Sequence, residues 1–355
     1  MHVPDGFFNA PVSVAAGAVA VAAVAVSLKG ARRELDERAA PLAGLVAAFV
    51  FAVQMINFPV GAGTSGHLMG GALAAILVGP YTAVLCLSVV LMLQALLFAD
   101  GGLTALGINI TLLGVVAVLV AYPLFRLLAR TLPRRRSSLT AAAFAAALVS
   151  VPVAAMVFTL LFALGGTADV PIGAVFAAMT GVHTAIGVGE GVITALAVGA
   201  VLGARPDLVH GARGLRAPLV LRNAAGEETE VPAAGTERAP SPARSVRPLW
   251  WGGLAATVVC AGFLSFYASS ELDGLERVAT DQEIIQQAED SRTADSPLAD
   301  YGVEGLDDAR LSGGLAGLIG VTATLATGTG VFLLARRRAS HRDAEARASH
   351  GDGRD

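Results

Sequence analysis

Charge, lysine and cysteine are what this chain of 355 residues has least of. Asp, Glu, Lys and Arg make up 15% of it, against about 25% in an average soluble domain. Lysine occurs once, as Lys29 in SLKGARRE, and there is no G-x-x-x-x-G-K-S/T pattern, so the chain is not itself a P-loop ATPase. H-E-x-x-H is also missing. The two cysteines, Cys86 and Cys260, sit far apart inside apolar runs. They read as small buried hydrophobes, not as a disulfide or a thiolate metal site.

What the chain does have is apolar length. Hydrophobic residues make up 54%, mean hydropathy is +0.65, and 41 residues are glycine. Small residues let membrane helices approach closely. Runs near the roughly 20 residues a bilayer requires lie at 10–28, 41–57, 107–128, 139–165 and 178–203. The run 68–98 is too long for one helix and is interrupted at Pro80, so it reads as a hairpin of two. Two further runs, 248–268 and 312–335, follow a polar stretch. The expected fold is therefore all-α: a polytopic membrane protein with a seven-helix bundle and a two-helix C-terminal module. The tail from Arg336 has no apolar periodicity and is expected to be disordered.

Arginine sets the orientation. Placing 22 of the 25 basic residues on one face leaves only Arg277, Arg292 and Arg310 on the other. With the basic face cytoplasmic, the expectation is nine helices, N-terminus outside and C-terminus inside. No Lys or Arg precedes the first apolar run, so that run reads as an uncleaved helix and not a signal peptide. Methionine removal normally needs a small second residue, so Met1 is expected to be retained before His2.

A histidine second from a free amine is a chelator. The Met1 amine, the deprotonated His2 amide and the His2 imidazole close a five- and a six-membered ring on one ion, and three coplanar nitrogens suit Ni²⁺ or Cu²⁺. The orientation sorts the other histidines: His67 and His183 fall at the outer ends of helices, while His210, His341 and His350 fall in cytoplasmic polar segments. NFPVGAGTSGHLMGG, from Asn57, is an outer loop that delivers His67 as a fourth nitrogen. ADGGLTALGINITLLG supplies Asp100, Thr104 and Asn109 as orienting groups. In GVHTAIGVGEGVITA, His183 and Glu190 lie seven apart on one helix face. An intramembrane carboxylate should face the interior with a partner, so Glu190 reads as an internal anchor and His183 as an auxiliary group.

These motifs, with MHVPDGF at the start, together resemble the CbiM/NikM family, the substrate-capture membrane component of cobalt/nickel energy-coupling factor (ECF) ABC transporters. The resemblance covers about residues 1–205. It implies an N-terminus inserted into a seven-helix fold, with the metal held by Met1, His2 and His67. Asn57, Asp100, Asn109, His183 and Glu190 are the auxiliary candidates. Many relatives carry Pro-Val-Pro in the loop; here Gly61 stands at the second proline's place. ASSELDGLERVA and SPLADYGV resemble the PDGLE domain, with Leu272 in place of the proline of its name. The implied organisation is a capture domain at 1–205, a cytoplasmic linker at 206–247, a PDGLE-like module at 248–335 and a tail at 336–355. The module's outer loop has twelve acidic residues between Glu271 and Arg310, a field that would concentrate cations.

The resemblance implies a non-enzymatic subunit in a prokaryotic plasma membrane that captures Co²⁺ or Ni²⁺ outside. It would work with separate ATPase subunits and a coupling transmembrane subunit. No covalently bound cofactor and no nucleic acid is implied. Two other classes remain on the residues alone: an intramembrane zinc enzyme built on His67, His183 and Glu190, and a metal sensor with the cytoplasmic tail as its output.

Overall fold

The computed structural model describes residues 1–35, 39–61, 63–133, 135–213, 219–222, 228–231 and 245–351. In chain order its elements are α1 (Ala10–Glu34), α2 (Ala39–Gln54), the hairpin β1 (Phe58–Gly61) and β2 (Thr64–Gly66), α3 (Gly71–Val78), α4 (Pro80–Leu97) and α5 (Leu106–Asn109). A π-helical segment, Ile110–Val116, leads into α6 (Ala117–Thr131), followed by α7 (Arg136–Gly165) and α8 (Ile172–Ala204). A hairpin of β3 (Leu219–Arg222) and β4 (Glu228–Val231) precedes α9 (Arg247–Gly262), α10 (Gly274–Asp281) and α11 (Ala309–Gly351).

Among the described residues six helical stretches are long and apolar enough to cross a bilayer: α1, α4, Leu106–Thr131, α7, α8 and Ala309–Ala335 of α11. A helix stands at each of the seven plus two expected places, but three of them are shorter than a full span. The first arm of the hairpin expected at 68–98 is α3, with 8 residues, which spans only about 12 Å. Before it the chain is irregular, yet 64–70 are all buried, as membrane-depth backbone without regular structure has to be. Gly79, at φ 101, ends α3 and turns the chain into α4. α2 and α9 are also short, at 16 residues each.

The turn at Gly79 is secured from α1. Glu34, the last residue of that helix, accepts from Tyr81 N at 3.2 Å, Thr82 N at 2.7 Å and Thr82 Oγ1 at 2.8 Å. A carboxylate there satisfies free N–H groups and complements the helix dipole. A Cβ on residue 79 would lie 2.5 Å from the Glu34 carboxyl carbon, so the junction requires glycine.

α7 and α8 pair along their length, with Ala142, Ala143, Ala146, Ala147, Ala154 and Ala155 buried on one α7 face. α11 packs on α2 and α9, which brings the C-terminal module onto the bundle. The acidic stretch between α9 and α11 is folded, not a free loop. Its backbone makes four bonds to three segments of the bundle: Ser269 N to Asn57 O at 2.8 Å and Ser65 N to Leu272 O at 2.9 Å in the α2–α3 connection, Glu289 N to Asp5 O at 2.9 Å, and Asp300 N to Phe98 O at 2.9 Å. The backbone of α11 runs as helix through Gly351. Much of the linker expected at 206–247 lies outside the described residues.

Replacing Glu34 by Ala should destabilise the chain in detergent by about 1–3 kcal/mol, because it strips the acceptor from buried donors at the start of α4. Glu34→Gln should recover part of the loss. Denaturant unfolding followed by circular dichroism checks both.

Candidate metal centre

The first eight residues enter the protein as an extended segment. Met1, Val3, Phe7 and Phe8 are buried. Val3 is clamped by one side chain: its N–H donates to Asn109 Oδ1 at 2.8 Å, and its carbonyl accepts from Asn109 Nδ2 at 3.1 Å. Asn109 immediately precedes the π-helical segment, an irregularity often found at functional sites. Asp5 accepts from Thr104 N at 2.7 Å and Leu103 N at 3.3 Å. Gly102 donates to Val3 O at 2.8 Å, and a Cβ there would fall 2.3 Å from Asp5 N. Glycine is what lets this loop lie against the N-terminal strand.

These anchors place the Met1 amine in the interior, in close contact with His67 Nε2. His67 Nδ1 lies 3.0 Å from Leu68 O, so its proton belongs on Nδ1 and its Nε2 lone pair faces the amine. Burial, and then the charge of the neighbouring amine, hold the His67 pKa below its ordinary value, which keeps the ring neutral. The His2 ring stacks on His67, centroids 4.8 Å apart and planes 3° from parallel. His2 Nδ1 lies 3.1 Å from Asp100 Oδ1, and Tyr301 Oη donates to Asp100 Oδ2 at 2.6 Å. Burial pushes the Asp100 carboxyl up, but the His2 ring and the Tyr301 hydroxyl outweigh it and hold the carboxyl down at about 2.

Asp273, which the sequence reading passed over, completes the cluster. Its Oδ2 lies 3.0 Å from the Met1 amine and 3.3 Å from His67 Nε2. Its Oδ1 takes Leu275 N in the capping box that starts α10. Burial raises this carboxyl, and the amine and His67 more than reverse that, leaving it well below the ordinary range. The D-x-x-E spacing in ELDGLE was a visible helix-start signal; that this helix would dock on the N-terminus was not. A cavity of about 370 Å³ opens onto the cluster, lined among others by His2, His67, Asp100, Asp273, Glu276 and Tyr301.

The remaining candidates sit around the cluster. Glu190 is fully buried and accepts from Met69 N at 2.5 Å and Gly70 N at 3.0 Å, anchoring the loop just after His67. His183 is buried with Nδ1 2.8 Å from Met179 O and no partner at Nε2. Asn57 lines the cavity and gives its carbonyl to Ser269. Among the described residues no three His, Cys, Asp or Glu side chains form a metal-holding group, so the set His67, His183 and Glu190 is not assembled.

Residues 2–208 match the CbiM family, described as a cobalt uptake substrate-specific transmembrane region. The chain belongs to the CbiM family. Residues 247–337 match the PDGLE domain, so a CbiM region and a PDGLE domain are fused in one polypeptide. A Haloquadratum walsbyi protein provisionally named a metal transport protein is 40% identical over 209 residues, covering 59% of this chain and 93% of its own. The fused nickel transport protein NikMN of Rhodobacter capsulatus is 40% identical over 127 residues, covering 36% of this chain and 37% of its own. A crystal structure of a truncated transition metal transporter aligns with TM-score 0.51 and 30% identity, over 57% of this chain and 99% of that one.

Because Asn109 carries both bonds to Val3, Asn109→Ala should release the N-terminal strand at a cost of about 1–3 kcal/mol. Hydrogen exchange checks this: protection at residues 2–5 should fall while that of α7 and α8 is kept.

Proposed function

We propose that the chain is the substrate-binding membrane component of an ATP-driven ECF importer for Co²⁺ or Ni²⁺, and that Met1, His2 and His67 hold the ion. The observation that carries this is the Met1 amine, buried against the lone pair of His67 with the His2 ring stacked alongside. Family membership supports the transport of cobalt or nickel as the role of a membrane component, and the six apolar helices support a multi-pass protein.

The ion takes four nitrogens: the amine, the His2 amide, His2 Nδ1 and His67 Nε2. Closing the chelate exchanges the Asp100 partner of Nδ1 for the ion, so loading includes a turn of the His2 ring. Four nitrogens in a plane favour Ni²⁺ over Zn²⁺, while Cu²⁺ binds such a set more tightly still and is excluded by availability. Asn109 and Asp5 fix the strand, Glu190 fixes the His67 loop, and Asp100 pairs with the empty chelate. His183 is an auxiliary group. Without a P-loop motif the chain draws its energy from separate ATPase subunits through a coupling membrane subunit, the N-terminus lying outside the cell and the C-terminus inside.

Placing one glycine before Met1 moves the amine out of chelate position. It should abolish nickel and cobalt accumulation in cells that also carry the ATPase and coupling subunits, as should His67→Ala, with membrane levels unchanged. An enzyme using side chains alone would tolerate the extension, and accumulation at the parental level by either variant refutes the site.

Binding replaces protons on the amine and amide with the ion. Apparent affinity of the purified chain should therefore fall steadily as the solution is acidified below about pH 7, with protons released on binding. Titration calorimetry in buffers of different ionisation enthalpy counts those protons; affinity independent of pH would contradict this set of ligands.

A further inference from the structure

Three polar atoms converge on one point of the cluster, and the third comes from the PDGLE domain. His67 Nε2 presents a lone pair, because its Nδ1 proton is committed to Leu68 O. Asp273 Oδ2 lies 3.3 Å from that nitrogen. A lone pair and a carboxylate oxygen this close repel each other unless something positive sits between them, and here the Met1 amine does so, 3.0 Å from Oδ2. The ammonium's protons are what the two acceptors share, and a metal ion can stand where those protons lie.

The spacings match those around an ion. Donors about 2.1 Å from a metal are about 3.0 Å apart at a right angle and about 3.4 Å apart at the tetrahedral angle. The two contacts of Oδ2, 3.0 and 3.3 Å, fall on these edges, while the amine and His67 Nε2 lie closer together than either edge, so an ion between them has to spread that pair. Asp273 is also held rigidly. Its Oδ1 is committed to the α10 N-terminus, its N–H donates to Glu276 Oε2 at 3.0 Å, and the preceding carbonyl of Leu272 takes the N–H of Ser65, two residues before His67. The domain thus grips the loop that carries His67 and aims one carboxylate oxygen at that histidine.

We propose that Asp273 is a ligand of the captured ion, a carboxylate oxygen added by the PDGLE domain to the nitrogens of the CbiM region. This rests on the site read above for Met1, His2 and His67. When the ion takes the amine lone pair, its charge replaces the ammonium's beside a buried carboxylate that would otherwise be unpaired. An oxygen outside the nitrogen plane makes the ion five- or six-coordinate. That geometry favours Co²⁺ relative to a strictly square-planar site, which suits Ni²⁺.

The test uses the full chain purified in detergent, with Co²⁺ and Ni²⁺ as probes. Asp273→Asn keeps the helix cap, since Asn caps as well as Asp, and removes the anionic oxygen. The expected result is at least about a 10-fold weaker Co²⁺ affinity, a smaller loss for Ni²⁺, and a changed Co²⁺ ligand-field spectrum, alongside the lower metal-free melting that follows from removing the amine's counter-ion. Asp273→Ser, also a capping residue, should behave alike and serves if the first variant does not fold. In the parent, Co²⁺ loading should shift a carboxylate stretch in the infrared difference spectrum, and its absence overturns the proposal without any variant. Parental affinity and spectrum in Asp273→Asn, while His67→Ala abolishes binding, overturn the role of Asp273 and leave the nitrogen site standing. A lower metal-free melting temperature with a parental loaded spectrum also overturns it, since Asp273 would then be only the amine's counter-ion. Parental binding in His67→Ala refutes the underlying site, and this proposal with it.

Discussion

An amine at the start of a chain is charged and ordinarily sits in water. Here the Met1 nitrogen is buried between an imidazole and a carboxylate that lie 66 and 272 residues away in the sequence. Leaving water costs such a group several kcal/mol unless it is paired, so the segment that carries it has to be held from several directions. The Asn109 clamp on Val3, the Asp5 bonds to the 103–104 turn and the aromatic seat of Phe8 against Phe158 and Phe162 do this. The irregular features nearby follow from the same constraint. Gly102 has no side chain because Asp5 lies where one would project, and α5 passes into a π-helical segment directly after Asn109.

The parts of this arrangement that could be read from the sequence are those set by local pattern. Hydropathy locates apolar runs, and His2 after Met1 is a chelating dipeptide whatever the fold. Glu190 was legible as an anchor because an unpaired carboxylate does not survive inside a membrane helix. Its partners were not, since Met69 N and Gly70 N come from a different element. The half-helix α3 was misjudged because a buried irregular segment and a full helix are equally apolar; only the left-handed Gly70 and Gly79 separate them. Asp273 was one of twelve acids in a stretch without periodicity. Its local role as a cap is written in ELDGLE, but its place in the cluster depends on how α9 and α11 bring the whole domain against the bundle.

The fusion of the two regions therefore has a structural consequence beyond tethering. The bonds Ser65–Leu272, Asn57–Ser269, Asp5–Glu289 and Phe98–Asp300 tie the second domain to each segment that borders the cluster. Tyr301 stacks on Phe98, centroids 4.9 Å apart, while its hydroxyl holds Asp100. Asp100 and Asp273 then stand on either side of the histidine pair, one against His2 and the other against His67. Each carboxylate is paired with a group the other domain supplies, Asp100 with the Tyr301 hydroxyl and Asp273 with the Met1 amine.

A site this well held on its outer side has to be opened from somewhere else. Directly after His67 the chain is closed: Leu68 and Ala72 are fully buried, Met69 is 2% exposed, and the Gln54 amide donates to Met69 O at 2.9 Å. Glu190 grips the same turn through two backbone N–H groups. Space beyond His67 opens only if the 64–70 segment leaves α8, and leaving strands a buried carboxylate with no donor, a loss of several kcal/mol. Thermal motion supplies that seldom. The contact between Glu190 and the His67 loop thus closes the cluster towards the bundle, and the same contact holds the turn after His67 rigid.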